Sequence, residues 1–184
     1  DALCALPSKE DALRTRALIE DMFAKSGLQR APDKGVWTPT QTLPDHLGFE
    51  ISTAPRQGHL RVPTRRCVDI ARAAKDLLAR SARNARRVSS DLLRSFIGKA
   101  SSVKDGCAQT GFRTRALHDV CDPWLALSKL DRAALRDLQW WQGFTYECPA
   151  NGVPLWPDPP TRAIYTDASS TLGYGAVLSA PAGA

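Results

Sequence analysis

Apolar positions along the chain change period several times, and each change marks an element. Residues 1–6 are short and mostly apolar, which predicts a buried strand ended by Pro7 and Ser8. Ser8 followed three residues later by Asp11 resembles a capping box, in which the serine oxygen takes an orphan amide of the first helical turn. Ala12, Ile19, Met22 and Phe23 then keep near-helical spacing as far as Gly27, a C-terminal cap. From residue 28 to 62 the pattern shortens. Residues 36–38 and 46–51 read as strands, 52–58 as a turn, and 59–62 as the returning strand of a hairpin.

Beyond Pro63 the period is helical again. Val68, Ala71, Ala74 and Leu78 recur on one face to about Ser81, and a basic break follows at residues 83–87. Ser89 is placed to cap a second helix with the stripe Leu92, Leu93, Phe96, Ile97, Ala100 and Val103. A third helix is expected over 110–120, through Phe112, Ala116, Leu117 and Val120. A fourth is expected over 130–141, where Ala134, Leu138 and Trp141 fall at i, i+4 and i+7. Short connections predict an antiparallel bundle. Residues 151–160 hold four prolines and read as an extended linker. Strand patterns at 163–167 and 173–178, joined by a Ser/Thr turn, close the sequence.

Composition narrows the class. The chain has 184 residues, 43% of them hydrophobic and 24% charged, which fits one folded domain or two small ones. No apolar run approaches the roughly 20 residues that span a bilayer. Five cysteines, at 4, 67, 107, 121 and 148, form no Cys-x-x-Cys pair. That favours a reducing compartment over a disulfide framework or zinc knuckle, so the expected location is intracellular, in cytoplasm or nucleus, without a membrane.

The charge is unevenly placed. The net charge is +6, yet the segment 61–115 alone carries +10 and the remainder −4. A concentrated cationic face points to a polyanion, because it attracts phosphates and releases their counterions. Eleven of its fourteen cations are arginine, whose guanidinium fork matches phosphate oxygens.

Three motifs in fixed order carry a family resemblance. The first is Asp1-Ala2-Leu3-Cys4-Ala5-Leu6. The second is Pro32-Asp33-Lys34 followed by Leu47-Gly48-Phe49. The third is Tyr165-Thr166-Asp167-Ala168-Ser169 with Gly173-Tyr174-Gly175-Ala176-Val177-Leu178. Together they resemble a reverse transcriptase running into a ribonuclease H domain. The polymerases of DIRS-like tyrosine-recombinase retrotransposons and related long-terminal-repeat elements are the nearest likeness.

The resemblance implies an α+β fold in four parts. Residues 1–62 would be the palm edge with its strands and primer-grip hairpin, and 63–127 a helical thumb. Residues 128–161 would be the connection and linker, and 162–184 the first hairpin of a ribonuclease H domain. It implies metal-binding roles for Asp1 and Asp167, with Mg²⁺ (or Mn²⁺) as cofactor, and places Lys34 near an incoming triphosphate. Leu47, Gly48 and Phe49 would hold the primer, and Gly98 would let the thumb helix pack closely.

Arg65, Arg66, Arg72, Arg86, Arg87, Arg94 and Lys99 would grip a template–primer duplex or RNA–DNA hybrid. In the full enzyme, joined to the rest of its polyprotein, deoxynucleoside triphosphates would be substrates. The segment by itself is expected to complete neither metal site. A non-catalytic nucleic-acid-binding remnant of a retroelement is the rival expectation.

Overall fold

Ser8 accepts a hydrogen bond from the Asp11 amide at 3.0 Å and starts α1, Lys9–Ser26; Gly27 ends it in the left-handed conformation at φ 69°. The structure, a computed structural model, describes residues 4–29, 31, 38–54, 57–122, 124–149, 152–156, 164–169 and 173–178. Residues 4–6 are irregular and exposed, so this part of the expected N-terminal strand is absent; residues 1–3 lie outside the described residues. The capping signals of α1 are local and hold, whereas the strand has no partner strand among the described residues. Helix α1 buries no residue fully, and Met22 is exposed.

The single strand expected over 46–51 is two. β1, Thr42–His46, and β2, Phe49–Ser52, flank a two-residue turn, and β3, His59–Arg61, returns antiparallel to β2. Mixed patterns of this length do not show a tight turn until two consecutive residues take positive φ, as Leu47 (51°) and Gly48 (81°) do.

Next come α2 (Thr64–Arg83), the short strand β4 (Arg87–Ser89) and α3 (Ser90–Ser101). Two 3₁₀ turns, Lys104–Gly106 and Ala108–Gly111, lead into α4, Phe112–Val120. β5 (Leu127–Lys129) pairs antiparallel with β4, a ribbon too short for a sequence pattern to reveal. α5 (Arg132–Gln142) and α6 (Phe144–Glu147) complete the helical part. Asp131 caps α5 by accepting from the Ala134 amide at 2.7 Å.

Helix α2 buries Cys67, Ile70, Ala74, Leu77 and Ser81; of the expected row Ala74 is buried, Ala71 and Leu78 are partly buried, and Val68 is exposed. The true row lies about one position round the helix, because small Cys and Ser side chains fit the packed side as well as alanines do. The predicted α5 positions hold: Ala134, Leu138 and Trp141 are buried with no accessible surface. Trp141 packs edge-on to Phe96 at 5.9 Å, and its indole N–H donates to the Arg113 carbonyl at 2.8 Å. That bond satisfies the one polar atom such a buried ring carries.

The Pro-rich stretch is not wholly a linker. β6, Val153–Pro154, adds to β3, giving a four-stranded antiparallel sheet in the order β1-β2-β3-β6. Pro154 stands on an edge strand, where its missing N–H costs no ladder bond. β7 (Ile164–Ser169) and β8 (Gly173–Leu178) form a separate antiparallel hairpin in which Asp167 stands opposite Gly175. The protein is thus α+β, and among the described residues no helix is long and apolar enough to cross a membrane.

Candidate nucleic-acid interface

The turn Leu47–Gly48 is the best-defined piece of the predicted site. Leu47 holds a left-handed backbone that costs a β-unbranched residue about 1–2 kcal/mol, and its side chain is 69% exposed, so packing does not offset that cost. Gly48 is required twice over. Its φ is 81°, and a Cβ there would occupy the space of the Arg66 guanidinium. Phe49, by contrast, is buried, its ring beneath the same guanidinium at 5.9 Å. Of the three predicted primer-holding residues, Leu47 and the Gly48 backbone are at the surface and Phe49 is an anchor in the core.

Arg66 joins this turn to the helices. One guanidinium nitrogen donates to the Gly48 carbonyl at 2.8 Å, the other to Ser102 Oγ at 2.6 Å at the end of α3. Two of its five N–H donors are thus held by protein, and Arg66 ties the hairpin to the helices. Neighbouring Arg65 pairs with Asp45 of β1. Two arginines in the first turn of α2, with no acidic residue there, oppose the helix macrodipole, which favours negative charge at that end.

The other predicted cations fall into separate places. A helical repeat of 3.6 residues puts Arg65, Arg72, Asp76 and Arg83 along one line of α2, opposite its buried row, with Asp69 beside it. Arg72 pairs with Asp69 at 3.5 Å and Arg94 with Asp91 at 3.2 Å. Such exposed pairs contribute at most about 1 kcal/mol and yield readily to a stronger anion. Arg94 and Lys99 flank the buried row of α3 on opposite sides. Lys99 lines a groove of about 140 Å³ between α2 and α3, shared with Arg80 and Asp76. Arg86 and Arg87 follow the far end of α2, about 30 Å from its start at 1.5 Å per residue.

Gly98 does not serve close packing between helices. It is exposed, and a Cβ there would meet nothing within 4 Å. The close approach expected from the resemblance has no counterpart among the described residues, because the packed side of α3 is formed by Leu93, Phe96, Ile97 and Ala100.

Asp1 and Lys34 lie outside the described residues. Asp167 stands in mid-strand on β7, as its motif predicts. Among the described residues no group of three His, Cys, Asp or Glu is placed to hold a metal ion.

Several ionisable groups lie within the bundle. Burial raises the Asp137 carboxyl, opposed by Arg113 at 3.7 Å. Cys67, Cys107 and Cys148 are buried together in the core cluster. A hydrogen bond with Cys67 and burial push the Cys148 thiol up, burial raises Cys107, and the bond from Cys148 lowers Cys67.

Sequence reasoning missed the locking role of Arg66 and the exposed cation Lys129, which opposes Arg87 across the β4–β5 ribbon. Nothing in the local pattern distinguishes a guanidinium bonded to a distant turn from one left in solvent. Comparison with known protein families, with curated proteins and with solved structures finds no match to this chain.

Proposed function

We propose that this chain is the template–primer clamp of an RNA-directed DNA polymerase with an adjoining ribonuclease H domain. The observation that carries the reading is the Leu47–Gly48 turn. It is a strained apolar tip left in solvent and tied through Arg66 to a helix whose outward line carries Arg65, Arg72 and Arg83, with Asp76 among them. Strain that packing does not offset is characteristic of binding elements. A glycine-tipped hairpin lets backbone approach a sugar-phosphate, and the adjacent cations supply contacts to phosphates that carry no base information.

In this reading Leu47 and the Gly48 backbone meet the primer end, and Arg65, Arg72 and Arg83 follow one strand of the duplex. Arg80 and Lys99 add charge at the α2–α3 groove. Asp1, Lys34 and Asp167 belong to chemistry of the parent enzyme: nucleotidyl transfer from deoxynucleoside triphosphates and cleavage of hybrid RNA, both with Mg²⁺. The carboxylates would be metal ligands in that enzyme, and the rest of the polyprotein would supply their companions.

Binding of a labelled RNA–DNA hybrid across a salt series tests the reading. For about 6–10 phosphate contacts, affinity falls roughly 10³- to 10⁵-fold between 50 and 200 mM salt. Replacing Arg65, Arg72 and Arg83 together by serine flattens the slope by roughly one unit for each arginine removed, equally for unrelated sequences. Absence of hybrid binding at low salt overturns the proposal.

A further inference from the structure

The β4–β5 ribbon carries a repulsion that no ion pair among the described residues offsets. Val88 and Ser128 point inward and are buried, leaving Arg87 and Lys129 directly opposite each other on the outer face. Like charges so placed are destabilising. Neither has an ion-pair partner among the described residues. Arg86, beside them, is held at a left-handed φ of 63°, its amide donating to the Ser81 carbonyl and its carbonyl accepting from Leu130. Its backbone is fixed in a disfavoured shape while its side chain is exposed and, among the described residues, unpaired.

At the other end of the ribbon stands a loop that presents an aromatic ring. Trp124 is 92% exposed, with exposed Leu125 and Leu127 beside it. The loop is anchored on both sides at the start of α3. The Cys121 thiol donates to the Ser90 carbonyl at 4.0 Å, and the Ser90 amide donates to the Ala126 carbonyl at 3.1 Å. Buried Ser90 and Ser128 share a hydroxyl bond at 2.7 Å beneath it. Asp122 takes the Trp124 amide at 2.8 Å, which fixes the backbone there. Asp131, the next acidic residue along, caps α5.

We infer that the outer face of this ribbon is a platform for single-stranded nucleic acid, separate from the duplex-facing line of α2. Arg86, Arg87 and Lys129 take successive phosphates, and a base unstacked from its neighbours lies on the Trp124 ring. A solvent-exposed indole on an anchored loop, on the same ribbon as cations unpaired among the described residues, is the chemistry that recognises unpaired bases. A duplex offers phosphates but no free base face. The inference rests on the nucleic-acid reading above and assigns Arg86 and Arg87 to the unpaired strand instead of the duplex.

Anisotropy titrations of the full chain against three labelled probes test it: a blunt RNA–DNA hybrid, the same hybrid with about 10 unpaired nucleotides, and the unpaired strand alone, made as DNA and as RNA. The overhang tightens binding by wild type. Trp124→Ala weakens binding to the overhang-bearing hybrid roughly 5- to 150-fold, the range for loss of one stacked base. The same substitution leaves the blunt hybrid unchanged, and Trp124→Phe retains most of the gain. Arg87→Ser combined with Lys129→Ser lowers overhang affinity and flattens only its salt slope. The melting temperature of that double variant does not fall, because a repulsion has been removed.

Equal binding of blunt and overhang-bearing hybrids by wild type, or an equal loss on both with Trp124→Ala, overturns the platform and leaves the duplex clamp standing. Binding of the overhang and the single strand without binding of the blunt hybrid overturns the clamp and leaves the platform. Binding of none removes both.

Discussion

Replacing Arg66 by lysine separates a structural tie from a phosphate contact, because the charge is kept and the fork is lost. In the structure the guanidinium makes two hydrogen bonds, to the half-buried Gly48 carbonyl at 2.8 Å and to the more exposed Ser102 hydroxyl at 2.6 Å, and lies 5.9 Å from the Phe49 ring centre. A charged donor to a half-buried carbonyl contributes about 1.5 kcal/mol, and its bond to an exposed hydroxyl about 0.5 kcal/mol. The ring adds about 0.5 kcal/mol. Truncation to alanine should therefore cost about 2–3 kcal/mol.

A lysine ammonium on its flexible stem can keep one of the two bonds, so Arg66→Lys should cost about 1–2 kcal/mol at unchanged net charge. Equilibrium urea unfolding reads both values, and hydrogen exchange locates the loss at residues 46–50 and 102. If Arg66→Lys unfolded at the wild-type urea concentration, the locking role would be refuted and Arg66 would return to the pool of phosphate-binding cations.

Further outcomes follow from other sites. Leu47→Asn suits the left-handed first position of the turn and should raise stability by about 1 kcal/mol. The same substitution should weaken hybrid binding; unchanged binding would deny the tip a role. Gly98→Ala should add about 0.8–1 kcal/mol by helix propensity, since its Cβ meets nothing, and a loss measured by thermal unfolding would contradict the exposed placement. Trp141→Ala should cost about 3–5 kcal/mol or prevent folding, whereas Trp140→Ala should cost less because Trp140 is only partly buried.

Asp137 has a folded pKa raised above the ordinary 3.8 by burial, so its protonated form is the one the fold favours. Its contribution is therefore fully present below the unfolded value and is lost as pH rises through the raised folded value. The stability difference between wild type and Asp137→Asn, measured by urea unfolding, should shift in favour of wild type on acidification. A pH-independent difference would contradict the assignment.

Elements whose causes are local were legible in the sequence. Ser8 and Asp11 opened α1 where expected, and Gly27 closed it. The i, i+4, i+7 row of Ala134, Leu138 and Trp141 was already the buried side of α5, and the two strands expected last in the sequence pair as a hairpin. Elements that depend on distant partners were not legible. Residues 87–89 become a strand only because 127–129 lie alongside, and Val153–Pro154 joins the sheet only because β3 has a free edge. The apolar row of α1 resembles that of a packed helix but buries nothing fully among the described residues.

Within the site, the Leu47-Gly48-Phe49 motif falls on an exposed two-residue turn and the buried residue that follows it. Phe49 faces the core because the two-residue turn reverses the chain immediately before it. The arginine count predicted a cationic surface, but a sequence does not state which guanidinium reaches a carbonyl eighteen residues away, as Arg66 does.

Hydroxyl-radical footprinting of the chain with and without a saturating RNA–DNA hybrid tests the central claim most directly. A duplex held between the hairpin tip and the arginine line of α2 predicts protection of Leu47, Arg65, Arg72 and Arg83 together, with α1 unchanged. Protection confined to α1, or a hybrid-bound pattern in which Leu47 and the outward line of α2 stay as reactive as in the free protein, would contradict it.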